Sequence, residues 1–113
     1  MEVETRRMTA IKTRIKDIVE GRFVSKEGLV PSYVITKLGQ KISRANIFGT
    51  IIDKFVSEDG NYATLTIDDG SEIIRVKAFR DDVKKFSDVE VGDMVIVVGK
   101  VREYNDEIYL NVE

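Results

Sequence analysis

Two stretches of the sequence set cations and rings at the spacing of a strand face. EIIRVKAF (72–79) places Arg75, Lys77 and Phe79 two residues apart, and VGKVREY (98–104) places Lys100, Arg102 and Tyr104 likewise. Alternate residues of a β-strand share a face, so each stretch presents two cations and a ring on one side. Single-stranded nucleic acid asks for this pairing: cations track the phosphates, while rings receive unstacked bases at about 1–3 kcal/mol per stack. Lys54, late in an earlier apolar run, adds a charge at one rim. Phe79, Tyr104, Arg75, Lys77, Lys100, Arg102 and Lys54 are therefore the expected nucleic-acid-binding residues. A structural explanation competes with this one. Strands favour Phe and Tyr, outward Lys and Arg blunt sheet surfaces against association, and Phe79 could pack beneath a following helix.

The remaining composition closes most other chemistry. The 113 residues contain no Cys, His or Trp, which removes disulfides, thiolate nucleophiles, structural zinc sites and imidazole catalysis. The paired acids Asp68-Asp69 and Asp81-Asp82 raise the question of a divalent metal. A turn and a helix cap explain them more simply, and no calcium-loop spacing accompanies them. No glycine loop has phosphate-cradling spacing. A non-enzymatic protein without metal or cofactor is expected. One Gln, no Cys and abundant Lys, Arg, Asp and Glu fit a thermophilic source.

The net charge of −2 hides an asymmetry: residues 1–57 hold eleven Lys and Arg against six Asp and Glu (+5), and residues 58–113 hold seven against fourteen (−7). Overall charge gives no support for a polyanion partner, so any such function rests on local arrangement. No apolar run approaches the roughly 20 residues needed to span a bilayer, and no secretory core follows Met1. The expected location is intracellular.

The elements that position the two basic stretches read as follows. Residues 1–9 form a polar tail, and residues 10–113 a single domain, with an N-terminal extension (10–43) and a barrel core (44–113). AIKTRI (10–15) reads as a strand and KDIVEG (16–21) as one helical turn, with Asp17 and Glu20 at capping-box spacing. SYVIT is a strand, and TKLGQK a turn. RANIFGTIIDKFV (44–56) is a long strand whose Gly49 marks a bulge or barrel corner. After the turn EDGN, YATLTID (62–68) turns Ala63, Leu65 and Ile67 inward. The turn DDGS then leads to the first basic strand, with Ile74, Val76 and Ala78 inward. RDDVKKF (80–86) is a short helix capped by Asp81 or Asp82, with Val83 and Phe86 facing the core. MVIVVGKVREY (94–104) and IYLNV (108–112) form a last hairpin, in which Tyr109 faces a ligand or a partner. Three meandering strands, a short helix and a hairpin make an all-β, five-stranded Greek-key barrel of the OB-fold type, with the helix between strands three and four. A six-stranded SH3-like barrel explains the helix less well.

IKDIVEGRFV, KISRANIFGTII, LTIDDGSEIIRVKAF and VGDMVIVVGKVREYNDEIYL resemble, in order and spacing, the OB-fold domain of the middle-sized (second) subunit of archaeal replication protein A, from about Ile11 to Val112. The resemblance implies a subunit of a heterotrimer that binds single-stranded DNA in replication and repair, in the cytoplasm or nucleoid of an archaeon. It also places base stacking at Phe79 and Tyr104. Family members often carry tryptophan at the first of these positions, so the smaller ring of Phe79 implies weaker stacking. Family members continue into a helix that assembles the trimer, whereas this sequence stops at Glu113, just past the last strand. Two other readings stay open: an assembly or scaffold subunit with little DNA contact of its own, and an RNA-binding, anticodon-type barrel appended to an enzyme.

Overall fold

The computed structural model describes residues 9–28 and 31–113; the expected tail, Thr9 apart, lies outside the described residues. The chain runs through β1 (Ile11–Lys12), α1 (Ile15–Val19), β2 (Arg22–Val24), β3 (Tyr33–Ile35) and β4 (Lys41–Ile42) before the barrel begins. The barrel comprises β5 (Arg44–Val56), β6 (Tyr62–Asp68), β7 (Ile73–Phe79), β8 (Met94–Tyr104) and β9 (Glu107–Val112), with a 3-10 helix at Arg80–Phe86 between its third and fourth strands. The neighbour order is β5–β6–β7–β9–β8, closed by β5 against β8. Of the barrel contacts only β7–β9 is parallel, so the fold is the expected OB-type barrel.

Closure depends on β5 serving two neighbours. Arg44 to Thr50 pair with β8, and Thr50 to Val56 pair with β6. Gly49 stands just before the hand-over, where a Cβ would lie 2.7 Å from Ile67 Cγ2 and 2.8 Å from the Asp68 carbonyl oxygen. Gly99 on β8 is equally confined, its notional Cβ 2.8 Å from the Asn111 carbonyl oxygen. Only a residue without a side chain lets the strands approach this closely. The bulge falls elsewhere, at Ile52: Ile51 pairs with Ile67 but Asp53 with Thr66.

Both ends of the barrel are plugged. At one end α1 inserts Ile15 and Ile18, both fully buried; at the other, Phe86 of the 3-10 helix is buried and Val83 packs on the core. The inward residues of β6, β7 and β8 are those the alternation selects: Ala63, Leu65, Ile67, Ile74, Val76, Ala78, Val97 and Val101. A second sheet, β2–β3–β4, lays Val34, Ile42 and Phe23 on the same core.

The caps differ from expectation. Asp17 and Glu20 form no capping box; Arg14 is the N-cap without a side-chain cap bond, and Asp17 instead holds the Arg14 guanidinium at 3.0 Å. The start of α1 is satisfied from 54 residues away. The Ile15 N–H donates to Asp69 Oδ2 (2.9 Å) and the Lys16 N–H to Ser71 Oγ (3.2 Å), both at the β6–β7 hairpin tip. Neither Asp81 nor Asp82 caps the 3-10 helix, whose N-cap is Phe79; Asp82 pairs with Lys85 at 3.2 Å. A tertiary acceptor already in place leaves no vacancy for a local cap at α1.

Asp69 is also accepting from the Ser71 hydroxyl (2.6 Å) and the Ser71 N–H (2.9 Å). Burial pushes its carboxyl up, but the bonds from Ile15, Ser71 and Glu72 outweigh burial and hold it below the usual carboxylate range. Its stabilising contribution is therefore complete above the unfolded value of about 3.9 and is lost as pH falls through the lower folded value. We expect the amides of Ile15 and Lys16 to lose hydrogen-exchange protection on acidification before those of β6 and β7. Asp69→Ala should abolish that acid step and cost about 0.5–2 kcal/mol at neutral pH. Protection of α1 that is indifferent to both changes would remove Asp69 from this role.

Candidate nucleic-acid interface

Register assembles the site on the outer face of β6, β7, β9 and β8. Thr66 stands opposite Arg75, Thr64 opposite Lys77 and Tyr62 opposite Phe79. Lys77 is level with Asn111 across the parallel pairing. Asn111 in turn faces Lys100, Tyr109 faces Arg102, and Glu107 faces Tyr104. The two basic stretches thus lie on one continuous surface, with β9 between them.

Rings collect at one end of this surface. Tyr62 and Phe79 have centroids 5.2 Å apart, and Phe55 of β5 stands 6.2 Å from Tyr62. Phe55 and Phe79 remain 52% and 42% exposed, so the three-strand aromatic ladder is open to a ligand. Phe79 is therefore not a core residue beneath the following helix. The turn before β6 fixes this end: Asp59 Oδ1 accepts from the Ser57 hydroxyl (2.7 Å) and the Asn61 N–H (2.9 Å), and the Tyr62 N–H donates to Ser57 Oγ (3.1 Å). The Asn61 N–H bond, then the Ser57 hydroxyl, hold the Asp59 carboxyl below its ordinary range. Immediately after Phe79, Arg80 adopts φ 54°, and its N–H bonds the Asn61 carbonyl at 2.8 Å. That left-handed residue ties β6 and β7, two of the ladder's three strands, together at their common end.

Cations and tyrosines occupy the other end. The Lys77 ammonium lies 4.2 Å from the Tyr109 centroid and 5.9 Å from that of Tyr104. Lys77 is 8% exposed while Tyr104 is 64% exposed, so the lysine is packed between rings whose outer surface is free. Among the described residues no carboxylate pairs with Lys77. Arg75 meets Glu107 at 3.5 Å, a loose and exposed contact worth little against a phosphate. Arg102 donates to the Val101 carbonyl at 2.9 Å, and Lys100 is exposed.

Lys54 is the exception. Its ammonium donates to the Phe86 and Val89 carbonyls, both at 2.8 Å, closing the end of the 3-10 helix as a cation at a helix C-terminus does. The bulge at Ile52 explains the difference. One extra residue exchanges the two faces of the strand beyond it, so Lys54 turns toward the barrel end and Phe55 turns outward. Strict alternation from Ile47 through Ile51 would have buried Phe55. The signal available was Asp53, a carboxylate that strict alternation would also have sent into the core. Tyr62 needed no such device, since it shares parity with Thr64 and Thr66.

No helix among the described residues is long and apolar enough to cross a membrane. The tRNA anti-codon family, described as an OB-fold nucleic acid binding domain, matches residues 45–113. No curated protein sequence matches the chain. Among solved structures, it is similar to one in the crystal structure of the S. pombe Stn1-Ten1 complex: TM-score 0.74 at 22% identity, over 94% of this chain and 76% of that one. A chain in the structure of a replication protein A heterotrimer bound to ssDNA gives TM-score 0.69 at 12% identity, over 93% and 77%. The SSB domain of a Synechococcus sp. protein gives TM-score 0.52 at 14% identity, over 66% and 93%. At these identities the likenesses speak to the fold.

Proposed function

Because the chain belongs to the OB-fold nucleic acid binding domain family, we propose that it is a non-enzymatic, sequence-tolerant single-stranded DNA-binding subunit. The setting we propose is a replication protein A-like heterotrimer serving replication and repair inside an archaeal cell, in the place of its second subunit. The observation that carries the DNA-binding reading is the open ladder Phe55–Tyr62–Phe79 beside the Lys77–Tyr109–Tyr104 cluster. Bases stack on the exposed rings, with Phe79 and Tyr104 as the first stacking positions. Arg75, Lys77, Lys100 and Arg102 meet phosphates; Lys54, held by two carbonyls, is left out of the contact set. One short groove must also offset the ordering of a flexible strand, so binding by the isolated domain is expected in the micromolar range or weaker. Neighbouring domains in a complex would tighten it through effective concentration.

Fluorescence anisotropy with labelled oligo-dT and oligo-U, titrated over salt, tests the reading. Wild type should bind, and Phe79→Ala/Tyr104→Ala, shown folded by circular dichroism, should not. The log–log salt slope should approach −0.7 per phosphate contacted. A preference for a defined RNA loop over generic single strands would instead support the anticodon-type reading.

One observation favours the assembly-subunit reading as a companion. Where β5 meets β8, Phe48 pairs with Ile96 and Thr50 with Met94, and Phe48, Ile52, Met94 and Ile96 are all exposed. Neighbouring apolar side chains of that size suit a subunit contact, and both the Stn1-Ten1 and the replication protein A neighbours are multi-subunit structures. If assembly is the main role, Phe79→Ala will disturb folding rather than binding alone.

A further inference from the structure

A second cation–ring arrangement lies outside the groove, on the outer face of the β2–β3–β4 sheet. With Phe23, Val34 and Ile42 turned to the core, alternation leaves Arg22, Val24, Tyr33, Ile35 and Lys41 on the other side. Register aligns Arg22, Ile35 and Lys41 in one row and Val24 with Tyr33 in the next. The Tyr33 ring has Lys41 Nζ at 5.2 Å and Lys26 Nζ at 5.9 Å from its centroid. This repeats the lysine-and-tyrosine construction of the groove on an independent sheet.

Charge is concentrated here. Residues 9–43 hold seven Lys and Arg against three Asp and Glu, a net +4, whereas residues 44–113 hold nine against fifteen, a net −6. Two of the three acids in the first segment are already engaged, Asp17 by Arg14 and Glu20 by Lys37. Among the described residues Arg22, Lys26 and Lys41 meet no carboxylate. The face also adjoins the groove. β4 leads through Ser43, whose carbonyl accepts the Val101 N–H at 2.9 Å, to Arg44, which pairs with Lys100. The sheet therefore abuts the segment of β8 that carries Lys100 and Arg102.

We infer that this face is a second nucleic-acid surface, on which a single strand leaving the groove past β8 continues, one base on Tyr33 and its phosphates on Lys26, Lys41 and Arg22. The inference rests on the groove reading for the strand's approach, but its own residues can be tested separately. OB-folds engage about 4–16 nucleotides each depending on binding mode, so a domain using both surfaces should show a footprint toward the upper part of that range.

The test compares dT8 with dT16 for wild type, for Tyr33→Ala, for Lys26→Ser/Lys41→Ser, and for Phe79→Ala/Tyr104→Ala, each checked for folding by circular dichroism. Comparing variants at one length removes the statistical advantage of a longer oligonucleotide. For dT16, Tyr33→Ala should weaken binding about tenfold, and the double lysine variant should flatten the log–log salt slope by about 1.4. Neither should alter dT8 binding by more than about twofold, because the groove alone holds it. The groove variant should weaken both lengths. If the N-terminal variants leave dT16 unchanged, or weaken dT8 equally, the inference is overturned while the groove reading stands. If they weaken dT16 and the groove variant has no effect, the groove reading fails and the second surface remains. No binding of either length by wild type would sink both, and would leave the basic sheet to an acidic protein partner.

Discussion

Tyr62→Ala/Phe79→Ala should lose single-strand binding by about 2–6 kcal/mol, since two stacking platforms disappear at about 1–3 kcal/mol each. The midpoint of that range is somewhat under a thousandfold in affinity, enough to remove a micromolar interaction from view. The two rings adjoin across β6 and β7 at 5.2 Å, and Phe55 adjoins Tyr62 at 6.2 Å, so their removal should be less than additive with Phe55→Ala. Both are on the solvent side of the sheet, and the inward residues Ala63, Leu65, Ile74 and Val76 are untouched. Stability should therefore fall by roughly 1 kcal/mol, the scale of a lost cross-strand aromatic pair. Anisotropy against oligo-dT, alongside a urea denaturation curve, separates the two effects. Unchanged affinity in a folded variant would move the ligand away from the ladder altogether.

Ile18→Ala should produce the opposite pattern, a large loss of stability with the groove chemistry intact. Ile18 is fully buried beside Ile15 at one end of the barrel, and buried Ile→Ala changes cost about 2–5 kcal/mol. Against the 5–15 kcal/mol typical of a whole domain, that is a severe effect for a residue outside the barrel strands. Val19→Ala, on the half-buried side of the same helix, should cost clearly less. Chemical denaturation of the three proteins decides the matter. Equal midpoints for Ile18→Ala and wild type would mean that α1 is an ornament on a barrel closed without it.

The sequence announced the barrel because its inward strands obey a period of two without interruption: YATLTID and EIIRVKAF alternate cleanly, and every inward residue named from that pattern is buried. The same parity led to Phe79 and Tyr104 and to all four outward cations, Arg75, Lys77, Lys100 and Arg102, which register sets on either side of β9. What stayed hidden involved contacts that periodicity does not encode. The extra residue at Ile52 reversed the faces for Lys54 and Phe55. The cap of α1 came from Asp69 and Ser71, across 54 and 55 residues of chain, so the nearby Asp17 and Glu20 were free to take basic partners instead. The Tyr33 face was obscured for another reason: its lysines, 26 and 41, lie in separate segments and meet at the ring only through the β3 register.

The sharing of β5 between β8 and β6 has a consequence for what a bound strand can be asked. A closed ring of strands has spent most of its main-chain donors and acceptors on one another, so the groove floor offers a ligand no long ladder of amides to pair with. Peptides that dock by adding a strand to a sheet need a free edge, and the barrel leaves only short ones, since β7 meets β9 at Val76 and Lys77. In the groove as proposed, recognition is left to rings and long flexible cations, which read the flatness of a base and the charge of a phosphate but carry little of the hydrogen-bond grammar that tells one base from another. If the proposed function holds, such a surface should bind single strands of differing sequence with similar affinity.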